Sequence, residues 1–130
     1  MPNVSRLLLL AASLMVSAPR APAATPDVAA GKAYFESVCG VCHSAQLTGG
    51  PNQGPNMLGL VGRKAGSQPD FTQYSDALKA SKLVWSVRTL DQFLVNPGAK
   101  VPGTLMPLLI ADNTLRANVI AYLATLKQPD

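Results

Sequence analysis

Apolar residues recur at helical spacing directly after a helix-start signal near the beginning of the chain. Thr25, Pro26 and Asp27 offer a hydroxyl N-cap, a proline at the first helical position and an acid in the first turn. The apolar positions that follow are Val28, Gly31, Tyr34, Phe35 and Val38. The pattern predicts a first helix that carries the chain to Cys39.

Three further helices are predicted in the second half of the chain. Ser75 caps one or two turns that run through Ala80, and Ser86 caps a helix through Val95 that stops at Asn96-Pro97. The apolar stripe of that second helix is Leu90, Phe93 and Leu94. The final helix starts at Asp112 or Asn113, and the residues that share its apolar face are Leu115, Val119, Tyr122, Leu123 and Leu126.

The segment between the first and second helices has a different composition. Glycine, proline and asparagine crowd together from Ser44 to Gly66, which predicts a long ordered loop or a flexible insertion. In a small domain a loop of this length is usually functional or packed around something. No alternating strand pattern, internal repeat or low-complexity tract is found. The predicted fold class is therefore all-α.

The start of the chain reads as a signal peptide, residues 1–23. Arg6 supplies a charged start, Leu7 to Val16 is an apolar run, and Ala21-Pro22-Ala23 offers a small-x-small cleavage site. An uncleaved membrane anchor is the alternative, but a run of ten residues falls well short of the roughly 20 that a spanning helix needs. The expected mature domain is 24–130, with no membrane span.

Cleavage changes the charge of the protein. The whole chain has 11 basic and 7 acidic residues, which gives +4. Arg6 and Arg20 leave with the signal peptide while every acid stays, so 9 basic and 7 acidic residues remain and the mature charge is +2. The longest basic run is the pair Arg63-Lys64. The sequence therefore predicts no nucleic-acid partner.

Both mature cysteines and the only histidine lie in one motif, Cys39-Gly40-Val41-Cys42-His43. Cys-x-x-Cys-His is the signature for covalent attachment of a c-type haem, with the two sulfurs bonded to the haem and the imidazole bound to iron. A structural zinc site needs four ligands, and no further Cys or His is present to complete one. A thioredoxin-type dithiol and a Cys39–Cys42 disulfide are the other interpretations, although the strand-helix-strand context of thioredoxin is missing.

An ordered set of motifs resembles the class I c-type cytochromes, specifically the mitochondrial cytochrome c and bacterial cytochrome c2 group. The matching stretches, in the order and approximate spacing of that family, are Gly31-Lys-Ala-Tyr-Phe35, Cys39-x-x-Cys-His43, Gly54-Pro-Asn-Met-Leu-Gly59, Gly62-Arg-Lys64, Tyr74-Ser-Asp-Ala77, Trp85, Asn96-Pro97, Pro102-Gly-Thr-Leu-Met106 and Ile120-Ala-Tyr-Leu123. The resemblance covers nearly all of the mature chain. It implies a small class I cytochrome c fold, with helices and long loops around one covalent haem.

The resemblance also implies a second axial ligand of the iron. Met57 and Met106 are the only methionines outside the signal peptide, and Met106 lies in the stretch that matches the family's ligand loop. Met57 falls where the family usually has a leucine, and a methionine is more often an adaptable core residue than a ligand. The expected ligand pair is therefore His43 and Met106, which raises the reduction potential.

Other site residues carry over one at a time from the family's motifs. Pro55 resembles the proline whose carbonyl accepts the His43 ring proton and so orients the ligand. The residues that resemble those holding the haem propionates are Arg63, Tyr74, Trp85 and Thr104. Gly31, Phe35 and Tyr122 resemble the close contact between the first and last helices.

The chain also departs from the family pattern, chiefly on the expected partner surface. Phe93 replaces the usual tyrosine near the methionine sulfur, and Leu108 replaces an aromatic residue. The positions where the family often has lysine hold Val38, Gly98, Ala99, Leu105, Asp112 and Asn113, and Lys100 survives nearby. The exposed haem edge is thus expected to be apolar, with weak long-range steering toward an acidic partner.

The resulting functional hypothesis is a periplasmic one-electron carrier, a monomer that shuttles electrons between redox protein partners in respiration or beside a dehydrogenase. It makes and breaks no substrate bonds and is not expected to be an enzyme. A dedicated haem subunit of a periplasmic dehydrogenase is the main alternative, since an apolar edge suits a permanent interface. An open-site haem protein that binds ligands is the third, but the sequence offers no distal histidine.

Overall fold

The computed structural model describes residues 23–48 and 53–128. In this part of the chain there are five α-helices and no β-strand, apart from one isolated bridge between Lys64 and Val84. The helices are α1 (Val28–Ser37), α2 (Asp76–Ala80), α3 (Val87–Val95), α4 (Pro97–Lys100) and α5 (Asn113–Thr125), and a 3₁₀ turn spans Cys39–Val41. The prediction of an all-α fold is confirmed.

Helices α1 and α5 form the closest helix pair. Gly31 is buried against the α5 backbone, where an added Cβ would overlap the carbonyl oxygen of Asn118, so only glycine fits there. One turn later the rings of Phe35 and Tyr122 pack with their centroids 5.4 Å apart. The predicted contact between the first and last helices is therefore confirmed.

The caps of α2 and α3 agree with the sequence patterns. The Ser75 hydroxyl accepts a hydrogen bond from the Leu78 N–H, and Ser86 and Thr89 form a reciprocal capping box. The apolar stripe of α3 is buried as predicted, with Leu90, Phe93 and Leu94 all in the core. Each cap satisfies backbone donors that the first helical turn leaves without a partner.

Two helix boundaries differ from the predictions. The N-cap of α1 is Asp27 rather than Thr25, because the Asp27 carboxylate accepts the Ala30 N–H at 3.0 Å. The backbone N–H of Asp27 in turn donates to Asn118 Oδ1 at 2.8 Å. Helix α1 also ends at Ser37, before Cys39. Asn96, predicted as part of a stop signal, caps the additional short helix α4 through its side-chain oxygen.

The described parts of the Gly-rich loop, residues 44–48 and 53–66, are ordered by backbone hydrogen bonds rather than by regular structure. Gly54 N–H donates to Cys42 O at 2.9 Å, and Met57 N–H donates to Ser44 O at 2.7 Å. Gly59 N–H reaches Leu126 O, beyond the end of α5, at 2.9 Å. The loop is thus held both to residues 42–44 and to the end of the last helix.

The predicted signal peptide lies almost wholly outside the described residues, as do residues 49–52 of the loop. Among the helices of residues 23–48 and 53–128, none combines the length and the apolar character needed to cross a bilayer.

Candidate functional site

The Cys-x-x-Cys-His motif occupies a tight turn immediately after α1. The 3₁₀ turn Cys39–Val41 folds back so that Cys39 O accepts the N–H groups of both Cys42 (3.0 Å) and His43 (2.9 Å). The tighter winding of this turn follows from i→i+3 bonding. Both thiols and the imidazole therefore come from one compact piece of backbone.

The two cysteines are free thiols, not a disulfide, and both are half-buried. Cys39 packs against the hydrophobic core, and this burial is the main cause that raises the pKa of its thiol to about 11. A hydrogen bond within Cys39 lowers that pKa, and the nearby Cys42 charge raises it further. Two unpaired, partly accessible sulfurs three residues apart fit covalent attachment of a haem.

His43 is held in one orientation by the loop that follows it. Its Nδ1 lies 2.9 Å from Pro55 O, and because a carbonyl only accepts, Nδ1 carries the proton. The backbone at Gly54 lies close to the imidazole, so that an added Cβ would overlap the ring. The lone pair of Nε2 is therefore left for a metal, as in other metal-bound histidines whose second nitrogen donates to a carbonyl.

The electrostatics of His43 favour the same neutral state. Burial is the largest cause that lowers its pKa, the Pro55 carbonyl raises it, and the positive charge of Arg63 lowers it again. A lowered histidine pKa means that the neutral imidazole, which is the metal-binding form, predominates at neutral pH.

Arg63 and Tyr74, two predicted propionate ligands, lie in one hydrogen-bonded cluster. The Arg63 guanidinium donates to Asn56 O (2.8 Å), Leu58 O (2.9 Å) and Gln68 Oε1 (2.6 Å). The Gln68 N–H in turn donates to the Tyr74 hydroxyl at 3.3 Å. Arg63 thus fixes the loop just after Pro55, and several of its five donors already have protein acceptors.

Burial also shifts the ionisation of this cluster. It is the largest cause that lowers the pKa of Arg63 and the largest cause that raises the pKa of Tyr74. Proximity of the two groups opposes both shifts. The positive guanidinium lowers the pKa of the Tyr74 phenol, and the phenolate charge raises the pKa of Arg63. The cluster thus combines a positive charge with polar groups in partly buried surroundings.

Trp85 adjoins this cluster and packs edge-to-face on Phe93, with ring centroids 5.0 Å apart. Its backbone N–H donates to Arg63 O at 2.9 Å. Its indole N–H has no hydrogen-bond acceptor among the described residues. In the same part of the chain, every fully enclosed side-chain nitrogen or oxygen has a hydrogen-bond partner. The indole N–H must therefore reach an opening, which fits a donor aimed at an acidic group such as a propionate.

The two candidate methionines lie in different surroundings. Met57 is a core residue with 8% of its surface exposed, and its backbone is fastened to Ser44. Met106 is half-buried at the edge of the core cluster, and its N–H makes one long hydrogen bond of 3.4 Å to Thr104 Oγ1. The position of Met106 at the core boundary suits a ligand at a pocket mouth, whereas that of Met57 suits space filling.

The segment on either side of Met106 is apolar and exposed. Leu105 is 73% exposed and Leu109 is 49% exposed, while Leu108 is half-buried. No charged residue occurs from Val101 to Ala111. The flanking Lys100 ammonium is itself hydrogen-bonded to Gln92 at 2.6 Å. The surface here thus has the low charge that the sequence pattern predicts.

Two residues of the site region escaped the sequence analysis. Gln68 is buried at the centre of the Arg63 cluster, although a lone glutamine in a loop gives no sequence signal. Arg116 is buried on α5 and ion-paired with Asp91. In the sequence Arg116 falls among the apolar positions of α5. Because an arginine is rarely buried without a partner, that position could have indicated a buried ion pair.

Comparison with known proteins agrees with this geometry. The family model for cytochrome c matches residues 28–127. The chain is 43% identical to cytochrome c2 of Rhodomicrobium vannielii over 121 residues, which are 92% of this chain and 94% of that protein. It is 45% identical to cytochrome c of Theileria annulata over 98 residues, or 75% of this chain and 84% of that one.

A solved structure has the same fold. The chain superimposes on cytochrome cH from Methylobacterium extorquens with a TM-score of 0.69 and 42% sequence identity. The match covers 76% of this chain and 98% of that chain.

Proposed function

This chain belongs to the cytochrome c family, and on that premise we propose that it is a periplasmic one-electron carrier with His43 and Met106 as the axial ligands of its haem. As in the rest of the family, one c-type haem is bound covalently, through Cys39 and Cys42. When bound, the haem supplies an iron that alternates between ferric and ferrous states. The protein residues bind this group, orient it and limit its contact with water.

His43 is proposed as the fixed ligand. Pro55 O retains the Nδ1 proton, which orients the ring and makes Nε2 the better donor. The adjacent Gly54 backbone lies so close to the ring that an added Cβ would overlap it. A ligand held this rigidly stays in place in both oxidation states, so that little rearrangement accompanies electron transfer.

Met106 is proposed as the second ligand. Its thioether is at the boundary of the core, whereas the other candidate, Met57, is enclosed by the core. A thioether paired with a histidine favours the ferrous state and raises the potential. Thr104, two residues earlier, and the indole N–H of Trp85 are proposed to hold the haem propionates.

Arg63 and Tyr74 are proposed to complete the propionate site. The Arg63 guanidinium still has donors beyond the three bonds to Asn56, Leu58 and Gln68, and its positive charge complements a carboxylate. The Tyr74 hydroxyl accepts from Gln68 N–H, which leaves its own proton to donate.

The proposed location is the periplasm, reached with residues 1–23 as a cleaved signal peptide and 24–130 as the mature domain. The arguments are the apolar run Leu7 to Val16 after Arg6 and the extracytoplasmic attachment of c-type haem. The proposed partners are an electron donor and an electron acceptor protein, met by a monomer.

The observation that carries this proposal is the placement of His43, whose ring N–H at Nδ1 donates to Pro55 O and which directly follows the Cys39–Cys42 pair of free thiols. A potentiometric titration of the mature protein tests it. We expect a reversible single-electron curve, with neither oxidation state binding added carbon monoxide or cyanide rapidly. Rapid binding of carbon monoxide by the reduced protein would instead identify an open-site haem protein.

A dedicated haem subunit of a dehydrogenase is the second candidate, favoured by the exposed, uncharged surface at Leu105 and Leu109. Permanent interfaces are more apolar than the average protein surface. Gel filtration of a native periplasmic extract separates the two hypotheses. A free carrier elutes at the mass of the mature chain, whereas a subunit elutes in a larger complex that also contains dehydrogenase activity.

A further inference from the structure

The segment that bears Met106 has little internal support. Residues 105–109 make no backbone–backbone hydrogen bond within the described part of the chain, and Met106 N–H has only the 3.4 Å bond to Thr104. Before this segment, Thr104 N–H donates to Val101 O at 2.9 Å. After it, Ile110 N–H donates to Leu94 O of α3 at 2.7 Å. The position of Met106 therefore depends on the fixed points at the two ends of the segment.

The second of these fixed points is organised by Arg116 of α5. Its Nη1 donates to Ile110 O at 2.9 Å and to Ala111 O at 3.2 Å. Its Nε donates to Asp91 Oδ1 at 2.7 Å, and its Nη2 to Asn113 Oδ1 at 2.8 Å. One guanidinium thus connects α3, the start of α5 and the chain that leads away from Met106.

The environment of Arg116 makes these bonds costly to lose. Only 6% of the residue is exposed, and the Asp91 carboxylate is its partner in an ion pair. Without the guanidinium, the buried Ile110 carbonyl and the neighbouring Ala111 carbonyl would lose a charged donor. A lysine in its place has a single ammonium and cannot reproduce the fork that reaches the carboxylate and both carbonyls.

We propose that Arg116 is a positioning residue for the Met106 ligand: it clamps the segment after Met106 to α3 and α5 and so limits how often the thioether leaves the iron. The inference rests on the proposed role of Met106. Arg116 acts through the backbone carbonyls of Ile110 and Ala111.

The test compares Arg116→Lys with Ile120→Val in the holoprotein. Ile120 is a buried residue of the same helix outside the hydrogen bonds of the clamp, so its variant lowers global stability without altering the clamp. The readouts are the rate of imidazole binding to the oxidised protein, hydrogen exchange of the Ile110 amide, and the urea midpoint. We expect Arg116→Lys to speed imidazole binding and Ile110 exchange about tenfold, the effect of one lost bond to a charged donor.

Ile120→Val is expected to leave both rates close to wild type even where its urea midpoint is lowered. Equal acceleration of both rates in the two variants, in proportion to lost global stability, would overturn the proposal. If Arg116→Lys does not accumulate, Asn113→Ala removes one acceptor of the guanidinium at an exposed position. It should speed Ile110 exchange about threefold, and unchanged exchange would overturn the clamp.

The two proposals fail in different ways. If Met106 is not the ligand, the wild-type protein binds imidazole as fast as Met106→Ala does. If the clamp is wrong while Met106 is the ligand, wild-type binding is slow, yet the exchange of Ile110 in Arg116→Lys is unchanged.

Discussion

The two proposed ligands of the iron are held by opposite means. His43 is fixed by its near neighbours, with its N–H bonded to Cys39 O and its ring bonded to Pro55 O and packed on Gly54. Met106 lies in a segment without backbone–backbone bonds across the described residues 105–109. Its position is set by the bonds that hold the end of this segment, at Ile110, to Leu94 of α3 and Arg116 of α5.

This difference assigns different mechanical roles to the two sides of the site. A ligand that is fixed by several short bonds in one turn can be lost only when that turn unfolds. A ligand on a segment tied at its ends can leave while the rest of the molecule stays folded, because local opening requires few contacts to break. The methionine side is therefore the side where exchange with small ligands should begin.

The largest expected effect is on the histidine side. Replacing Cys39 or Cys42 with Ala removes one of the two sulfurs that anchor the haem beside His43, and we expect accumulation of holoprotein to fall sharply or cease. Haem-stained gels of periplasmic extracts measure this, with Ser37→Ala as an exposed control nearby. Wild-type haem that is fully extractable with acidified acetone would contradict the covalent attachment.

Removal of Met106, the proposed second ligand, should have the next largest effect. We expect Met106→Ala to leave the iron high-spin or open to added imidazole and to lower the potential, because the thioether favours the ferrous state. Met57→Leu, a change of similar volume in the core, should retain the wild-type ligands. Imidazole titration and potentiometry check both variants, and the reverse pattern would make Met57 the ligand.

A steric change at Gly54 tests how tightly the histidine side is packed. Gly54→Ala places a Cβ against the His43 ring, so we expect a loss of about 1–3 kcal/mol in the free energy of unfolding, as for overpacked cores. Gly40→Ala is the matched control, since its Cβ would lie at an ordinary 3.4 Å from Phe35 O. Urea denaturation measures both. Equal stability of the two variants would show that Gly54 is not tightly packed on the ring.

The smallest expected effect concerns the outer surface of the methionine side. If partners dock on the apolar surface at Leu105 and Leu109, the electron-transfer rate should change little with salt, whereas charge-steered association varies by roughly 10-fold or more. Leu105→Lys should slow transfer more than Lys100→Ala. Stopped-flow kinetics with the native partner at low and moderate salt tests this, and a steep salt dependence with Lys100→Ala the slower variant would favour charge steering.

The local parts of the fold could be predicted from the sequence because their causes are local. Ser75 and Ser86 cap helices through bonds to residues three positions away, and the stripe of α3 follows from helical spacing. The start of α1 was misplaced because Asp27 is fixed by Asn118, a residue 91 positions away. Likewise, Asn96-Pro97 serves both to stop α3 and to start α4.

The same distinction applies to the candidate site. The Cys-x-x-Cys-His motif is contiguous, so its placement on one turn could be predicted, and the motif match also indicated the Pro55 carbonyl that lies 2.9 Å from His43. Gln68 and Arg116 could not be predicted, because their importance comes from partners brought together only by folding. Burial of a polar residue depends on tertiary contacts that periodicity does not contain.

The central claim, a haem iron bound by His43 and Met106, is tested most directly by the absorption spectrum of the oxidised mature protein. Coordination by the methionine sulfur is expected to produce a weak sulfur-to-iron band near the red end of the visible range. That band should persist in Met57→Leu. Its absence from the wild-type spectrum, or its loss in Met57→Leu, would contradict the proposed ligands.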